Sequence, residues 1–239
     1  MSKSEIKEIK KNETGHGLLI EHDGYISKDC GNNKALFESF NKLNENNGGE
    51  FHCPYPFIVD AVFQKFGIEN ANGRIYPEHI LKREVAKYQK LIEERRAIGE
   101  CNHPESSVID LSRVSHNIIE LHWEGHTLVG KLEILVSEGF RKNGIISCQG
   151  DQIAHLLLSG IKIGVSSRAL GSVTQKMGVL YVGDDLELVC WDIVGDPSTP
   201  NAWISDSYEK LKPYVESKAS SEDNKLFEKL DKFNNWLIE

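Results

Sequence analysis

The sequence predicts an α+β fold in which helices flank an antiparallel β-barrel core. Three observations support this class. Several segments rich in β-branched and aromatic residues follow one another, tight turns join them, and one long amphipathic helix interrupts the series. Strands joined by tight turns pair antiparallel, whereas parallel strands need a long crossover. We therefore expect an antiparallel sheet or barrel and not a wound parallel sheet.

The first elements of this fold lie between residues 56 and 97. Residues 56–68 have the β-branched and aromatic content of a strand, and a turn-rich stretch follows them. Pro77 then begins the clearest helix, because proline suits the first helical turn and its fixed backbone fits there. Apolar side chains recur at helical spacing after it, at Ile80, Leu81, Val85 and Tyr88.

The remaining elements alternate between strands and one short helix. Residues 112–136 read as two strands joined by a turn near Gly125. Residues 150–160 predict a short amphipathic helix that ends at Gly160, since glycine readily adopts the backbone that ends a helix. A strand and a hairpin follow in residues 161–194.

Three regions divide the chain of 239 residues. Residues 1–50 contain glycines and a polar Gly/Asn-rich stretch, so we expect a loosely ordered N-terminal segment. Residues 51–206 hold the strand and helix patterns and form one domain. Residues 207–239 are charged and helix-prone, which predicts a charged helical tail.

The composition argues against several classes of partner. Hydrophobic residues make up 39% of the chain and the formal net charge is −8, so a globular fold without a positive field is expected. No apolar run approaches the roughly 20 residues of a membrane-spanning helix, and the charged N-terminus lacks the apolar stretch of a secretory signal. We therefore expect no nucleic-acid partner and no membrane partner.

The cysteines argue against a disulfide framework or a cysteine-rich zinc site. They are scattered, odd in number and never spaced as CxxC: Cys30, Cys53, Cys101, Cys148 and Cys190. We expect free thiols in a reducing compartment, with most of them buried as small apolar side chains.

Two short segments hold residues suited to proton transfer and nucleophilic attack. In residues 99–104, His103 precedes a proline that holds its backbone extended, and its near-neutral pKa suits proton transfer. In residues 164–171, Ser166 and Ser167 follow an apolar strand. Arg168 comes directly after them and is placed to donate towards a developing oxyanion.

A third segment, residues 106–118, offers two groups that could orient His103. A serine nucleophile needs a base, and that base needs an orienting group on its other nitrogen. Asp110 and His116 are both available here. The sequence spacing leaves open which of them meets the ring of His103.

Taken together, these segments resemble the prohead proteases of tailed phages, most nearly the T-even type, which are remote relatives of herpesvirus assembly proteases. The resemblance runs in unbroken order over about residues 57–204. It is carried by residues 68–77, 99–104, 109–118, 123–131, 160–173 and 192–203. It implies a herpesvirus-protease-like fold and a serine endopeptidase that works inside the assembling prohead, in the host cytoplasm.

The resemblance also implies roles for single residues. The family's catalytic histidine falls on His103 and its nucleophile on Ser166, while Ser167 and Arg168 match residues that bind substrate or the oxyanion. Asp110 takes the third catalytic position, with His116 as the alternative. Ala169 departs from the family's glycine at that place. The implied acyl transfer needs no metal and no cofactor.

The family further implies the partners. Phage scaffold or core proteins and the major capsid protein are the expected substrates, and self-association is expected by analogy. Members prefer to cut after Leu/Ile-x-Glu, themselves included, so we expect self-cleavage near the chain ends. Such triplets lie at residues 6–8, 36–38, 43–45, 226–228 and 237–239.

Three alternatives remain open at this point. In the first, the chain is a catalytically inactive head-core or scaffold protein with the same fold. In the second, it is a metal enzyme in which His116, His122 and His126 bind the metal from one face of a strand. In the third, Cys101 is the nucleophile.

Overall fold

The structure is a computed structural model that describes residues 6–21, 51, 53–206 and 212. Ten strands lie in this part of the chain: β1 Gly15–Ile20, β2 Phe57–Lys65, β3 Arg74–Ile75, β4 Ile98–Glu100, β5 Val114–Glu124, β6 Thr127–Ile134, β7 Gly164–Lys176, β8 Val179–Val182, β9 Glu187–Val194 and β10 Ile204–Ser205. The helices are α1 Glu78–Glu93, α2 Glu138–Asn143, α3 Gln149–Leu158 and a 3₁₀ helix at Leu111–Arg113. The predicted α+β class is confirmed, with strands predominating.

The strands form two five-stranded sheets. The first has the order β1-β7-β8-β3, with β9 also paired to β7, and the second has the order β10-β2-β6-β5-β4. Nearly all neighbours are antiparallel, and the exception is the short pair β3–β8. The antiparallel pairing expected from the tight turns is therefore present.

The expected closed barrel is not formed by the described strands. The two sheets meet at isolated bridges, between Cys101 and Ile193 and between Gly164 and Trp203. Strands β4 and β10, which lie at these junctions, are three and two residues long. They are too short to continue a ladder from one sheet to the other, so the sheets stay open. The herpesvirus-like architecture stays a prediction.

Trp191 anchors β9 in the hydrophobic core. Its indole is fully buried and packs edge-on against Phe63 of β2, with ring centroids 5.6 Å apart, and against Tyr88 of α1, at 5.0 Å. Such aromatic pairs add to the free energy gained from burying apolar area. The neighbouring residue Asp192 is therefore held on a rigid strand.

Helix α1 follows the sequence prediction closely. Pro77 is its N-cap, and the buried side chains include Ile80, Leu81, Val85 and Tyr88. Among the described helices, none is long and apolar enough to cross a membrane.

The described part of the N-terminal segment differs from the expectation of loose structure. Strand β1 pairs with β7 from Gly15 opposite Val173 to Ile20 opposite Arg168. Its apolar residues Leu18 and Leu19 are buried, and their burial offsets the cost of ordering the strand. The predictions for residues 22–50 and for the tail, Lys212 aside, lie outside the described residues.

Candidate active site

Strand β7 places Ser166 directly opposite Asp192 of β9. Residues opposite each other in an antiparallel ladder point to the same face, with Cβ atoms about 4.5–5.5 Å apart. Ser166 is only 1% exposed, and its Oγ has no hydrogen-bond partner among the described residues. The hydroxyl therefore faces the same side of the sheet as a buried carboxylate.

The loop after β4 brings His103 to this carboxylate. The loop runs beside β9, where the Asn102 N–H donates to the Ile193 carbonyl at 2.8 Å. His103 follows Asn102, and its ring nitrogen Nδ1 lies 2.7 Å from Asp192 Oδ2; both side chains are buried. Asp192 thus contacts His103 and faces the same side of the sheet as Ser166. The Ser166 hydroxyl makes no hydrogen bond to the ring of His103 in this structure.

The surroundings keep Asp192 ionised. Burial alone would raise the pKa of this carboxyl, but the hydrogen bond from His103, the charge of Arg168 and the Glu100 N–H hold it below its usual range. An ionised carboxylate only accepts hydrogen bonds, so Nδ1 of His103 carries the proton and donates. The lone pair then lies on Nε2, which is the arrangement of a general base.

Asp110 does not contact His103, contrary to the sequence-based expectation. Its carboxylate caps the 3₁₀ helix by accepting from the Ser112 N–H at 2.9 Å and from the Ser112 hydroxyl at 2.7 Å. These hydrogen bonds lower the pKa of Asp110. The side chain is exposed and serves the local turn, because an aspartate two residues before an N–H forms such a cap readily.

His116, the alternative third group, is also engaged elsewhere. It is fully buried, with Nε2 3.1 Å from the Trp191 carbonyl and Nδ1 2.9 Å from the Ser115 hydroxyl. Burial lowers the pKa of His116 to about 4. Both ring nitrogens have partners other than His103, so Asp192, and neither Asp110 nor His116, contacts the ring of His103.

Arg168 lies on the same face as Ser166 but is turned into the protein. Its Nη2 donates to Glu100 Oε1 at 2.9 Å, its Nε lies 3.0 Å from Asp192 Oδ2, and its Nη1 donates to the Ser106 carbonyl at 2.7 Å. The guanidinium is fully buried. The oxyanion role of Arg168 stays a prediction, and these contacts do not support it.

Ser167 points to the opposite face from Ser166. It pairs with Trp191 in the ladder, and successive strand residues alternate in direction. Its carbonyl accepts from the Glu21 N–H at 3.1 Å, which joins β7 to the end of β1. The substrate-binding role predicted for Ser167 stays a prediction.

The three histidines of the metal alternative do not converge. The β5–β6 register shifts between Ile118 and Glu120, and such a bulge changes which face the later residues occupy. His116 is fully buried, whereas the side chain of His122 is 47% exposed. Among the described residues no group of three or more His, Cys, Asp or Glu is placed to hold a metal ion.

The thiol of Cys101 is poorly suited to nucleophilic attack. Burial raises its pKa, the charge of Arg113 opposes this in part, and the negative charge of Asp192 adds to the rise, so the pKa stays above the usual value. The thiolate is the nucleophilic form of cysteine, so a raised pKa makes the group inert at neutral pH.

Asp192 is the residue that the sequence reasoning missed, although the sequence contains a signal for it. It lies inside an apolar strand, between Cys190-Trp191 and Ile193-Val194. Aspartate is almost never fully buried unless it is paired. A carboxylate within a buried run therefore indicates a partner elsewhere in the chain.

Comparison with known proteins identifies the family of the chain. Residues 18–223 match the family model Peptidase_S77, described as prohead core protein serine protease. The chain is 28% identical over 184 residues to the prohead core protein protease of Enterobacteria phage T4, covering 76% of this chain and 83% of that protein. It also resembles the solved structure of the bacteriophage T4 capsid assembly protease, with a TM-score of 0.53 and 26% identity over 59% of this chain and 82% of that one. The resemblance to T-even prohead proteases is confirmed, and the chain belongs to the Peptidase_S77 family of prohead core proteases.

Proposed function

We propose that this protein is a serine endopeptidase that cleaves scaffold or core proteins and the major capsid protein inside the assembling prohead, in the host cytoplasm. Membership of the family makes it a protease of phage capsid maturation. The serine mechanism is supported above all by one observation. Ser166 lies opposite Asp192 in the β7–β9 ladder, and Asp192 contacts the ring of His103.

The reaction is an acyl transfer in two halves. Nε2 of His103 takes the proton from the Ser166 hydroxyl while Oγ attacks the peptide carbonyl, and Asp192 stabilises the imidazolium that forms. The imidazolium then gives its proton to the leaving amine, and the peptide bond breaks. Water, deprotonated by the same ring, attacks the acyl carbonyl; the bond to Oγ breaks and the ring returns the proton to Oγ, so the free acid leaves and the hydroxyl is restored. Backbone N–H groups near the nucleophile stabilise the oxyanion, each contributing about 3 kcal/mol.

Ser166 is buried in this structure, which bears on how substrate reaches it. The side chain is 1% exposed. A peptide carbonyl therefore reaches Oγ only after the covering residues rearrange, and such gating motions are common in enzymes.

Cleavage after Leu/Ile-x-Glu and self-processing belong to the same proposal. The triplet at residues 6–8 lies beside β1, where the Lys7 carbonyl accepts from the Leu18 N–H at 3.0 Å. Cutting there requires this pairing to open first, since a protease binds its substrate in extended form. The other triplets lie outside the described residues.

Labelling with a fluorophosphonate probe, followed by mass spectrometry, tests the proposal. We expect the probe to modify Ser166 in the wild-type chain, and we expect labelling to vanish in Ser166→Ala. Ser167→Ala is the matched control, because it removes a neighbouring hydroxyl on the opposite face of β7. Labelling that persists in Ser166→Ala, or none in the wild type, would contradict a serine mechanism; the second result would favour an inactive head-core protein of the same fold.

Substrate preference needs a second measurement. The unfolded cognate scaffold protein is incubated with the wild type and with Ser166→Ala, and the new C-termini are read by mass spectrometry. Fragments ending in glutamate with the wild type alone are expected. Fragments with no preference at their ends would remove the Leu/Ile-x-Glu part of the proposal and leave the serine mechanism intact.

A further inference from the structure

We propose that Glu100 and Arg168 form a positioning device that holds Asp192 against His103 and thereby governs proton removal from Ser166. This inference rests on the proposed function. Glu100 was not singled out from the sequence. It acts through Asp192 and does not touch the reacting atoms, so it is a positioning residue and not a catalytic one.

Three contacts join Glu100 and Arg168 to the carboxylate of Asp192. The Glu100 N–H donates to Asp192 Oδ1 at 2.9 Å, Arg168 Nη2 donates to the same oxygen at 3.3 Å, and Arg168 Nε forms an ion pair with Oδ2 at 3.0 Å. Oδ2 is also the oxygen that contacts His103. Both oxygens of the carboxylate are therefore held, and its plane cannot rotate without breaking one of these contacts.

The side chain of Glu100 also fixes the loop that carries His103. Its Oε1 accepts from the Asp110 N–H and from Arg168 Nη2, each at 2.9 Å, and its Oε2 accepts from Arg113 Nε at 3.1 Å. His103 lies between Glu100 and Asp110 in the chain. One buried carboxylate thus ties both ends of the loop to the arginine that contacts Asp192.

Stability alone is a poor explanation for this cluster. Glu100, Arg168 and Asp192 are all fully buried, and the desolvation of such charges commonly offsets their attraction. Apolar side chains of similar volume usually fill such a space at no loss of stability. A cluster of buried charges on the catalytic aspartate is explained better by the geometry that it imposes.

Glu100 and Arg168 also set the charge around Asp192. The titratable or charged groups that face it among the described residues are His103, Arg168, Glu100, Cys190, Cys101, His116 and Tyr88. Burial raises the pKa of Cys190, Cys101 and Tyr88 and lowers that of His116, so these four are neutral at pH 7. Apart from His103 itself, the charges left are those of Glu100 and Arg168.

The pH profile of Ser166 labelling by the fluorophosphonate probe separates charge from geometry. Glu100→Gln keeps the shape of the side chain but removes a negative charge close to Asp192, so we expect the acidic limb of the profile to move to lower pH. Arg168→Lys keeps the positive charge but loses the paired N–H donors of the guanidinium. The acidic limb of its pH profile therefore stays at the wild-type pH. We expect the maximal rate to fall about 10- to 100-fold in both variants, because the base is displaced.

Glu84→Gln is the matched control. Glu84 is also a buried carboxylate with ion pairs, to Arg83 and Lys87, and it contacts neither Asp192 nor His103. The replacement of Glu84 should leave both the maximal labelling rate and the pH of the acidic limb unchanged. The inference would be overturned if Glu100→Gln and Arg168→Lys kept the wild-type labelling rate and the wild-type position of the acidic limb. It would also be overturned if the labelling rate fell equally in Glu84→Gln.

A measurement without turnover keeps the inference separate from the proposed function. In the proton NMR spectrum, the His103 Nδ1 proton should give a downfield resonance that disappears in Asp192→Asn. Broadening of this resonance in Glu100→Gln or Arg168→Lys supports the positioning role, and an unchanged resonance in both contradicts it. If the wild type gives the His103 resonance but is not labelled by the fluorophosphonate probe, the serine mechanism is overturned and the positioning role is not.

Discussion

At the scale of single residues, the carboxylate of Asp192 decides what His103 can do. The ionised carboxylate accepts from Nδ1 and so places the lone pair of the ring on Nε2. Asp110, only seven positions from His103, caps a turn at the surface instead. Nearness along the chain is a weak guide here, because the loop that carries His103 crosses β9 and meets a strand residue 89 positions away.

Replacing these two aspartates distinguishes their roles. In Asp192→Asn the amide can donate to Nδ1 and so favours the wrong tautomer; we expect the cleavage rate to fall by about 10³- to 10⁴-fold. Asp110→Asn should keep most of the activity and the stability, since asparagine also caps. Initial rates on the cognate scaffold protein measure this, and a larger loss in Asp110→Asn would restore Asp110 as the third catalytic residue.

His116 should make the folded state sensitive to mild acid. Its pKa is about 4 in the folded state, below the usual value of 6.5, so the unfolded chain takes up the proton first as the pH falls. The stabilisation is complete above pH 6.5 and is lost between pH 6.5 and 4, by about 3 kcal/mol. The lowered pKa of Asp192 acts in a separate window, because its contribution is lost only below pH 3.8.

Urea unfolding at several pH values between 7.5 and 4.5 measures this effect. The loss of unfolding free energy over that range should be much smaller in His116→Asn than in the wild type. His122→Asn, at an exposed histidine, should keep the wild-type slope. An unchanged slope in His116→Asn would mean that another group carries the acid sensitivity.

At the scale of elements, the close approach of β4 to β9 builds the site. A Cβ atom at Gly99 would lie 2.1 Å from the Trp191 carbonyl oxygen and 2.5 Å from His116 Nε2. The backbone at this position has room for hydrogen alone. This contact lets Glu100 reach Asp192 and starts the loop of His103 at the right place.

Gly99→Ala should therefore damage both stability and activity. The added methyl group pushes β4 away from β9, which we expect to cost about 1–3 kcal/mol and to slow cleavage. Gly139→Ala in α2 is the control, because its Cβ would meet no atom closer than 3.9 Å, and alanine favours a helix. Thermal unfolding and cleavage rates are measured for both variants. A wild-type melting temperature and cleavage rate in Gly99→Ala would show that a methyl group fits between β4 and β9.

At the scale of the whole molecule, a second buried cluster joins distant parts of the chain. Glu21 accepts from Arg74 Nη1 at 2.8 Å, from the Tyr76 hydroxyl at 2.6 Å and from the Ser198 hydroxyl at 3.1 Å. Its own N–H donates to the Ser167 carbonyl. The end of β1, strand β3 and the loop after β9 are thereby fastened to the strand that carries Ser166.

A double-mutant cycle measures how strongly this cluster holds the fold. Arg74→Met alone leaves Glu21 buried and without its charged partner, which should cost about 3–5 kcal/mol. Glu21→Leu combined with Arg74→Met should cost less than the single change. Unfolding free energies from denaturant titration test this, and a double variant as unstable as the sum of the singles would show that the two residues act independently.

Much of the local structure follows from the sequence alone. The apolar spacing after Pro77 determines α1, and the alternating strands on either side of Gly125 determine the β5–β6 hairpin. These elements depend on contacts between near neighbours, which the order of residues specifies directly. The family resemblance indicated Ser166 and His103, whose catalytic roles stay predictions.

The contact between His103 and Asp192 and the open form of the two sheets depended on the tertiary structure. His103 and Asp192 are 89 positions apart, and their contact exists because β9 pairs with β7 in one register and the β4 loop crosses it. A register is selected by the packing of whole faces, so no local pattern specifies it. The sequence by itself determined which residue types were available for catalysis, and the pairing of distant strands decided which of them meet.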